Sequence, residues 1–202
     1  MYIPHNFLIT DEQEAISFMQ RYSFATIITV NNNIPIATHL PFLVTQRGEQ
    51  IILSSHFAKA NPQSLAIING SPLVIFAEPH AYISPKHYDN SNSVPTWNYI
   101  AVHAYGKATL IEGNEQKIEL LAQTIQFYEA EYLAQWATIP DDYKLKMING
   151  IVGFEIVVDD LQAKKKLSQN KTESERKNII AELSNKSHSN EKDIADYMNG
   201  LK

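Results

Sequence analysis

Between Phe24 and Ser55 the chain reverses direction twice with almost no residues to spare. Strand-like runs at Phe24–Val30 and Ile34–Val44 are separated only by the turn Asn31-Asn32-Asn33, and a third run, Gln50–Ser55, follows a turn at Arg47-Gly48. Connections this short join antiparallel neighbours, because a parallel pair needs a crossover of about a dozen residues or more. Pro72–Ala77 reads as a buried strand, and Ala101–Ile111 and Ile151–Val158 add two more. Thr10 and Gln13 have the form of a capping box, opening a helix to about Tyr22 with Ala15, Ile16 and Met19 inward. Asn61-Pro62 starts a short helix, Gln63–Ile68, which stops at Asn69-Gly70. Glu115–Trp136 is amphipathic, with Ile118, Leu121, Ala122, Ile125 and Tyr132 at helical spacing. Strands, one long crossing helix, another strand and then helices make an α+β chain: a mostly antiparallel β-barrel with helices packed around it.

Beyond Leu161 the texture turns polar. Thr172 and Glu175 form a second capping box, opening a helix with Ile179, Ile180 and Leu183 inward. Lys186–Asn190 breaks it, and Asp193–Met198 forms a final helical turn or two. The expected division is therefore 1–160 as the barrel and 161–202 as a basic helical segment packed on or extending from it.

Charge follows the same boundary. Residues 1–160 hold 8 Lys+Arg against 16 Asp+Glu, a formal −8, and residues 161–202 hold 9 against 6, a formal +3. The body repels DNA, so any direct DNA contact falls to the basic segment, chiefly Lys164–Lys171. A solvated charged surface and an arm reaching a phosphate or a neighbouring subunit are both compatible with that run.

Several chemistries are excluded or unsupported. With no cysteine there are no disulfides, thiolate metal sites or Cys nucleophiles. Seven glycines and no Gly-rich loop leave no Rossmann or P-loop fingerprint. His39, His56, His80, His87 and His103 lack metal-ligand spacing, so no metal is expected. Ser84 and Ser93 lack a nucleophile elbow, and no catalytic acid or base stands out. No apolar run approaches the ~20 residues of a membrane span, and Met-Tyr-Ile-Pro-His is not a signal peptide. The expectation is a cytoplasmic protein away from membranes.

Two stretches carry candidate chemistry. Ser54, Ser55 and His56 end a strand, Lys59 follows, and Asn61-Pro62 opens a helix. Hydroxyls, an ammonium and a helix start describe a phosphate seat, whereas an Asn61 cap beside a solvated Lys59 describes the same residues without a ligand. Glu78–Asn98 shows no regular pattern, yet its Tyr82, Tyr88 and Trp97 are too aromatic for a disordered linker. With Thr96, Asn98 and Tyr99 these rings wall a flat ligand or form a satellite aromatic cluster.

Seven segments in order resemble one family: MYIPHNF at the start, ATHLPFLV (37–44), HFAKANPQ (56–63), PHAYISP (79–85), VPTWNY (94–99), IVGFEI (151–156) and KLSQNK (166–171). They are similar to the PaiB-type proteins, the FMN-binding negative transcriptional regulators, over nearly the whole chain to about Leu183. The resemblance implies an FMN-binding split β-barrel working as a homodimer, with ligand near the subunit interface. It further implies that Thr96, Trp97, Asn98 and Tyr99 border the flavin. Ser54, Ser55, His56, Lys59 and Asn61 then lie toward its phosphate, and Gln169 of the KLSQNK segment joins the set. The chain departs from the family pattern at Glu78 (a glycine position), His87 and Lys165 (aromatic positions). The function implied is flavin-dependent repression of transcription. A flavin-dependent oxidoreductase and a haem-handling protein on the same barrel are the alternatives, since a cofactor that carries the chemistry leaves little protein signature.

Overall fold

The computed structural model describes residues 1–90 and 92–201. They form two compact units: residues 16–76 with 103–161, and residues 1–15 with 77–102 and 162–202. Residues 162–202 thus share a unit with two earlier segments. Strand β8 runs from Ile151 to Lys166, straight through the expected boundary at 160.

The larger unit is built on hairpins whose turns follow from composition. Strands β1 (Phe24–Asn31) and β2 (Ile34–Pro41) pair antiparallel from Phe24↔Pro41 to Asn31↔Ile34. Between them Asn32 and Asn33 have φ of 50° and 62°, the left-handed pair that a two-residue hairpin matched to strand twist requires. Strands β3 (Leu43–Arg47) and β4 (Gln50–Ala58) are joined likewise, with Gly48 at φ 65°. The run expected as one strand, Ile34–Val44, breaks at Phe42. Pro41 has no N–H to extend a ladder, and the Phe42 N–H goes instead to the Ser23 carbonyl at 2.8 Å.

With β5 (Leu73–Phe76), β7 (Thr96–Ile111) and β8 the order is β2-β1-β5-β7-β8-β4-β3. The two ends of this order, β2 and β3, are consecutive in sequence with Phe42 alone between them. A sheet so tied curls back on itself, which is how a barrel disposes of its edges. Inside, Phe42 contacts Phe76 and Phe154 edge-on, at ring-centre separations of 6.0 and 6.2 Å, and Phe57 stacks on Phe154 at 4.9 Å. Ile27, Ile52 and Ile156 are fully buried in this unit. Gly106 on β7 is required by close approach, since a β-carbon there would lie 2.2 Å from the Val157 carbonyl oxygen.

The long helix expected over 115–136 is divided. Helix α3 (Asn114–Tyr128) ends at Glu129, with φ −155° and ψ 69°, and α4 (Leu133–Thr138) and α5 (Asp141–Ile148) follow. No Pro or Gly stands at the break. Tyr128 is instead tied to Ser23 by a 2.6 Å hydroxyl–hydroxyl bond, a tertiary contact that local propensity does not reveal. The short α2 is one turn, Gln63–Ala66, continued by a 3-10 turn at Ile67–Asn69.

The smaller unit gathers three distant segments. Strand β6 (His80–Ile83) pairs antiparallel with the first residues of β7, His80↔Tyr99 through Ile83↔Thr96. The stretch expected to lack pattern therefore contains a strand, and β7 begins at Thr96. Its alternation is hidden because Trp97 is half-exposed while Asn98 is fully buried. Leu8 bridges to Lys164, and the Ile9 N–H donates to the Ala163 carbonyl at 3.0 Å. Helix α6 (Glu173–Ser184) opens on the expected box, Glu175 N–H to Thr172 Oγ1 and Thr172 N–H to Glu175 Oε2. Helix α7 spans Ser189–Asn199, longer than the expected turn or two, and buries Ile194, Ala195 and Met198.

Candidate functional site

The candidate residues fall in both units, and each group has its own surroundings. In the larger unit, Ser54 and Ser55 are successive residues of β4 and point to opposite faces. The Ser55 hydroxyl donates to the Pro41 carbonyl at 2.7 Å. Ser54 lines a cleft of about 700 Å³ together with Arg47, Glu115, Glu119 and Glu155. Arg47 holds Glu155 at 3.0 Å there. Three carboxylates beside one paired guanidinium do not suit a phosphate. His56 is half-buried, and that burial lowers its pKa from the ordinary value, so its imidazole is neutral near pH 7.

Lys59 is exposed, with its backbone N–H on the Gly150 carbonyl at 2.8 Å. Asn61 is a structural cap: Oδ1 accepts the Gln63 N–H at 2.9 Å and Nδ2 donates to Thr38 Oγ1 at 3.1 Å. Thr38 in turn donates to Gln63 Oε1, and the buried Gln63 amide donates to the carbonyls of Ile27 and Ile36. A four-residue helix adds little dipole to this arrangement. Of the phosphate seat expected here, Lys59 is exposed, His56 and Asn61 are partly buried, and Ser54 and Ser55 are buried.

In the smaller unit, Trp97 is 52% exposed and Tyr82 51%, and their rings meet edge-on at 5.8 Å. His80 lies 5.9 Å from Trp97. Asn98 is buried and trades hydrogen bonds with Ser168, Nδ2 to Oγ at 3.0 Å and Oγ to Oδ1 at 3.1 Å. The Tyr99 ring receives the Lys164 ammonium at 5.0 Å. Thr96 Oγ1 and the Trp97 carbonyl accept from Lys166, the latter at 2.8 Å. Gln169 is spent locally, accepting the Leu167 N–H and donating to the Lys165 carbonyl, both at 2.7 Å.

The run read as a charged arm is therefore largely built into this unit. Lys164 is buried and donates to the Tyr2 carbonyl at 3.3 Å. Lys165 pairs with Glu14, its Nζ 2.7 Å from Oε2. Lys171 sits over the Tyr88 ring at 3.6 Å. Sequence reasoning noticed the charges but missed the partners, which are backbone carbonyls, rings, a hydroxyl and the Glu14 carboxylate, all remote in sequence.

Among the described residues no group of three or more His, Cys, Asp or Glu side chains is placed to hold a metal ion, and no helix is long and apolar enough to cross a membrane.

Comparison with solved structures identifies the fold. The flavocytochrome Anf3 of Azotobacter vinelandii matches 80% of this chain and 70% of its own, with a TM-score of 0.66 at 15% identity. The FAD and heme binding protein of Mycobacterium smegmatis matches 78% of this chain and 72% of its own, with a TM-score of 0.61 at 14% identity. The class is thus the α+β split β-barrel. Residues 1–160 match the family described as "Putative FMN-binding domain", and the chain belongs to that family. It is also 40% identical over 201 residues to the protease synthase and sporulation protein PAI 2 of Bacillus subtilis, covering 98% of this chain and 96% of that protein.

Proposed function

We propose that this protein binds FMN and acts as a flavin-dependent negative regulator of transcription, working as a homodimer. The observation that carries this reading is the family match over 1–160, which spans the whole barrel unit and the first part of the smaller one. The similarity to PAI 2, whose name speaks of protease synthesis and sporulation, supports control of gene output over a metabolic conversion. On this reading the flavin phosphate lies at the end of β4, where Lys59 is exposed and His56 half-buried.

Repression then acts through ligand state or a protein partner more than through a basic DNA-binding arm. Lys164, Lys165 and Lys166 are engaged within their own unit, and Lys177 and Lys186 pair with Glu173 and Glu182 at 2.6 and 3.0 Å. Three cations of the segment, Lys165, Lys177 and Lys186, are thus ion-paired and Lys164 is buried, which reduces the charge it can present to phosphates along a duplex.

Titrating FMN and riboflavin against the parent protein and Lys59→Ala tests the phosphate placement. Loss of one charge-assisted contact weakens FMN binding by about 1–2 kcal/mol and leaves riboflavin unchanged. Equal losses for both ligands would remove Lys59 from the phosphate. Sedimentation at micromolar concentration reports the assembly, with a species of twice the 22.9 kDa chain mass expected.

A further inference from the structure

We propose that the acidic cleft between helix α3 and the paired strands β4 and β8 binds an aliphatic diamine, at a site separate from the flavin's. The cleft holds about 700 Å³, within the range of small-molecule pockets, and all its walls belong to the larger unit. From α3 come Glu115, Glu119 and Gln123, spaced four residues apart and so aligned along one face of the helix. From the strands come Arg47, Ser54 and Glu155.

Charge decides the sign of the ligand. Three carboxylates and one guanidinium leave the cleft at a formal −2. Arg47 and Glu155 satisfy each other through two bonds, at 3.0 and 3.3 Å, so the unbalanced charge lies on α3. Glu115 has no ion pair or side-chain hydrogen bond among the described residues, and Glu119 has only the Gln123 amide, at 2.8 Å. Like charges one turn apart on a helix destabilise it, and a ligand with two positive charges removes that repulsion.

A second observation comes from the sheet. Ser54 stands opposite Glu155 in the β4–β8 pair and is only 6% exposed, yet its hydroxyl has no hydrogen-bond partner among the described residues. A buried hydroxyl that lines an open cleft without a partner is a group for a ligand to complete. With a carboxylate beside it, the group that completes it is a positively charged donor. Of the wall residues, Ser54 alone is one that the family resemblance lends to the flavin, and the carboxylates that turn a phosphate away attract an ammonium.

Shape separates a diamine from a metal ion. Among the described residues no three acidic or His side chains converge as metal ligands, so the carboxylates are spread along the cleft. Two ammonium groups joined by methylenes match spread charges. Leu110, Ile111 and Leu120 on the same walls receive the methylenes, as apolar surface receives a lysine stem.

The test is thermal unfolding of the full chain with cadaverine dihydrochloride, against sodium chloride, magnesium chloride and pentylamine hydrochloride at equal ionic strength. At about tenfold above its Kd, cadaverine raises the melting temperature by about 3–5 °C over sodium chloride. Glu119→Gln and Ser54→Ala each abolish most of the rise, Glu119→Asp keeps part of it, and Lys59→Ala responds as the parent does. No rise over sodium chloride in the parent protein overturns the proposal, as does an equal rise with magnesium or with pentylamine. Unfolding is read without flavin, so this result is independent of FMN binding. Unchanged FMN affinity in Glu119→Gln supports a separate site. Loss of FMN affinity in that variant, or displacement of FMN by cadaverine, assigns the cleft to the flavin and overturns it.

Discussion

The two units of this chain hold themselves together by different means. The larger one is an apolar barrel with four phenylalanines at its centre and hairpins closed by Asn-Asn and Gly turns. The smaller one joins three distant segments through ammonium–carbonyl, ammonium–ring and amide–hydroxyl contacts, with Lys164, Ser168 and Asn98 all buried. An apolar core is non-directional and tolerates only changes that conserve volume. A polar interior is directional, and its weak point is a partner left unsatisfied.

The largest effect that sharpens this contrast is Phe154→Ala. Phe154 is fully buried and touches Phe42 and Phe57. Its truncation costs about 3–5 kcal/mol, read by denaturant unfolding. Gly106→Ala should follow, at about 1–3 kcal/mol, because the new methyl group meets the Val157 backbone oxygen and the strands must part. In the smaller unit Asn98→Ala leaves the Ser168 hydroxyl without its partner and costs about 1–3 kcal/mol. Lys164→Met behaves oppositely. It replaces a buried charge on neutral partners by an apolar chain of similar shape, and stability changes by less than about 1 kcal/mol. A loss as large as that of Phe154→Ala would erase the contrast between the units.

The smallest effect is electrostatic. Glu182 bridges Lys186 at 3.0 Å and Lys86 at 3.1 Å, and those bonds, Lys186 first, lower its pKa from 4.5 to about 2. A depressed carboxylate stabilises the fold above its unfolded pKa, and that contribution is lost as pH falls from about 4.5 toward about 2. Melting curves of the parent and Glu182→Gln should therefore differ slightly at pH 6 and converge at about pH 2 and below. The difference shrinks in high salt, because the group and both its lysines are in contact with solvent.

The barrel was legible because its information is local: β-branched runs, Asn and Gly at turns, an Asn cap before α2. What the sequence hid was tertiary. Thr96–Tyr99 reads as pattern-free because Asn98 faces inward and Trp97 outward, the reverse of the usual alternation. Lys164–Lys166 reads as a solvated arm until each lysine is matched to a partner contributed by another part of the chain. The Ser54–Ser55 pair suggested convergence, but the strand's two-residue period sends the hydroxyls to opposite faces. In the family resemblance the order of short motifs carried more than any single residue did.

The central claim, flavin recognition by the barrel family's chemistry in this chain, is tested most directly by fluorescence titration of FMN with the purified protein. The account predicts saturable change in flavin emission at micromolar protein, with a stoichiometry of one FMN per chain and weaker binding of FAD. Free, fully dialysable FMN at tens of micromolar protein would contradict it.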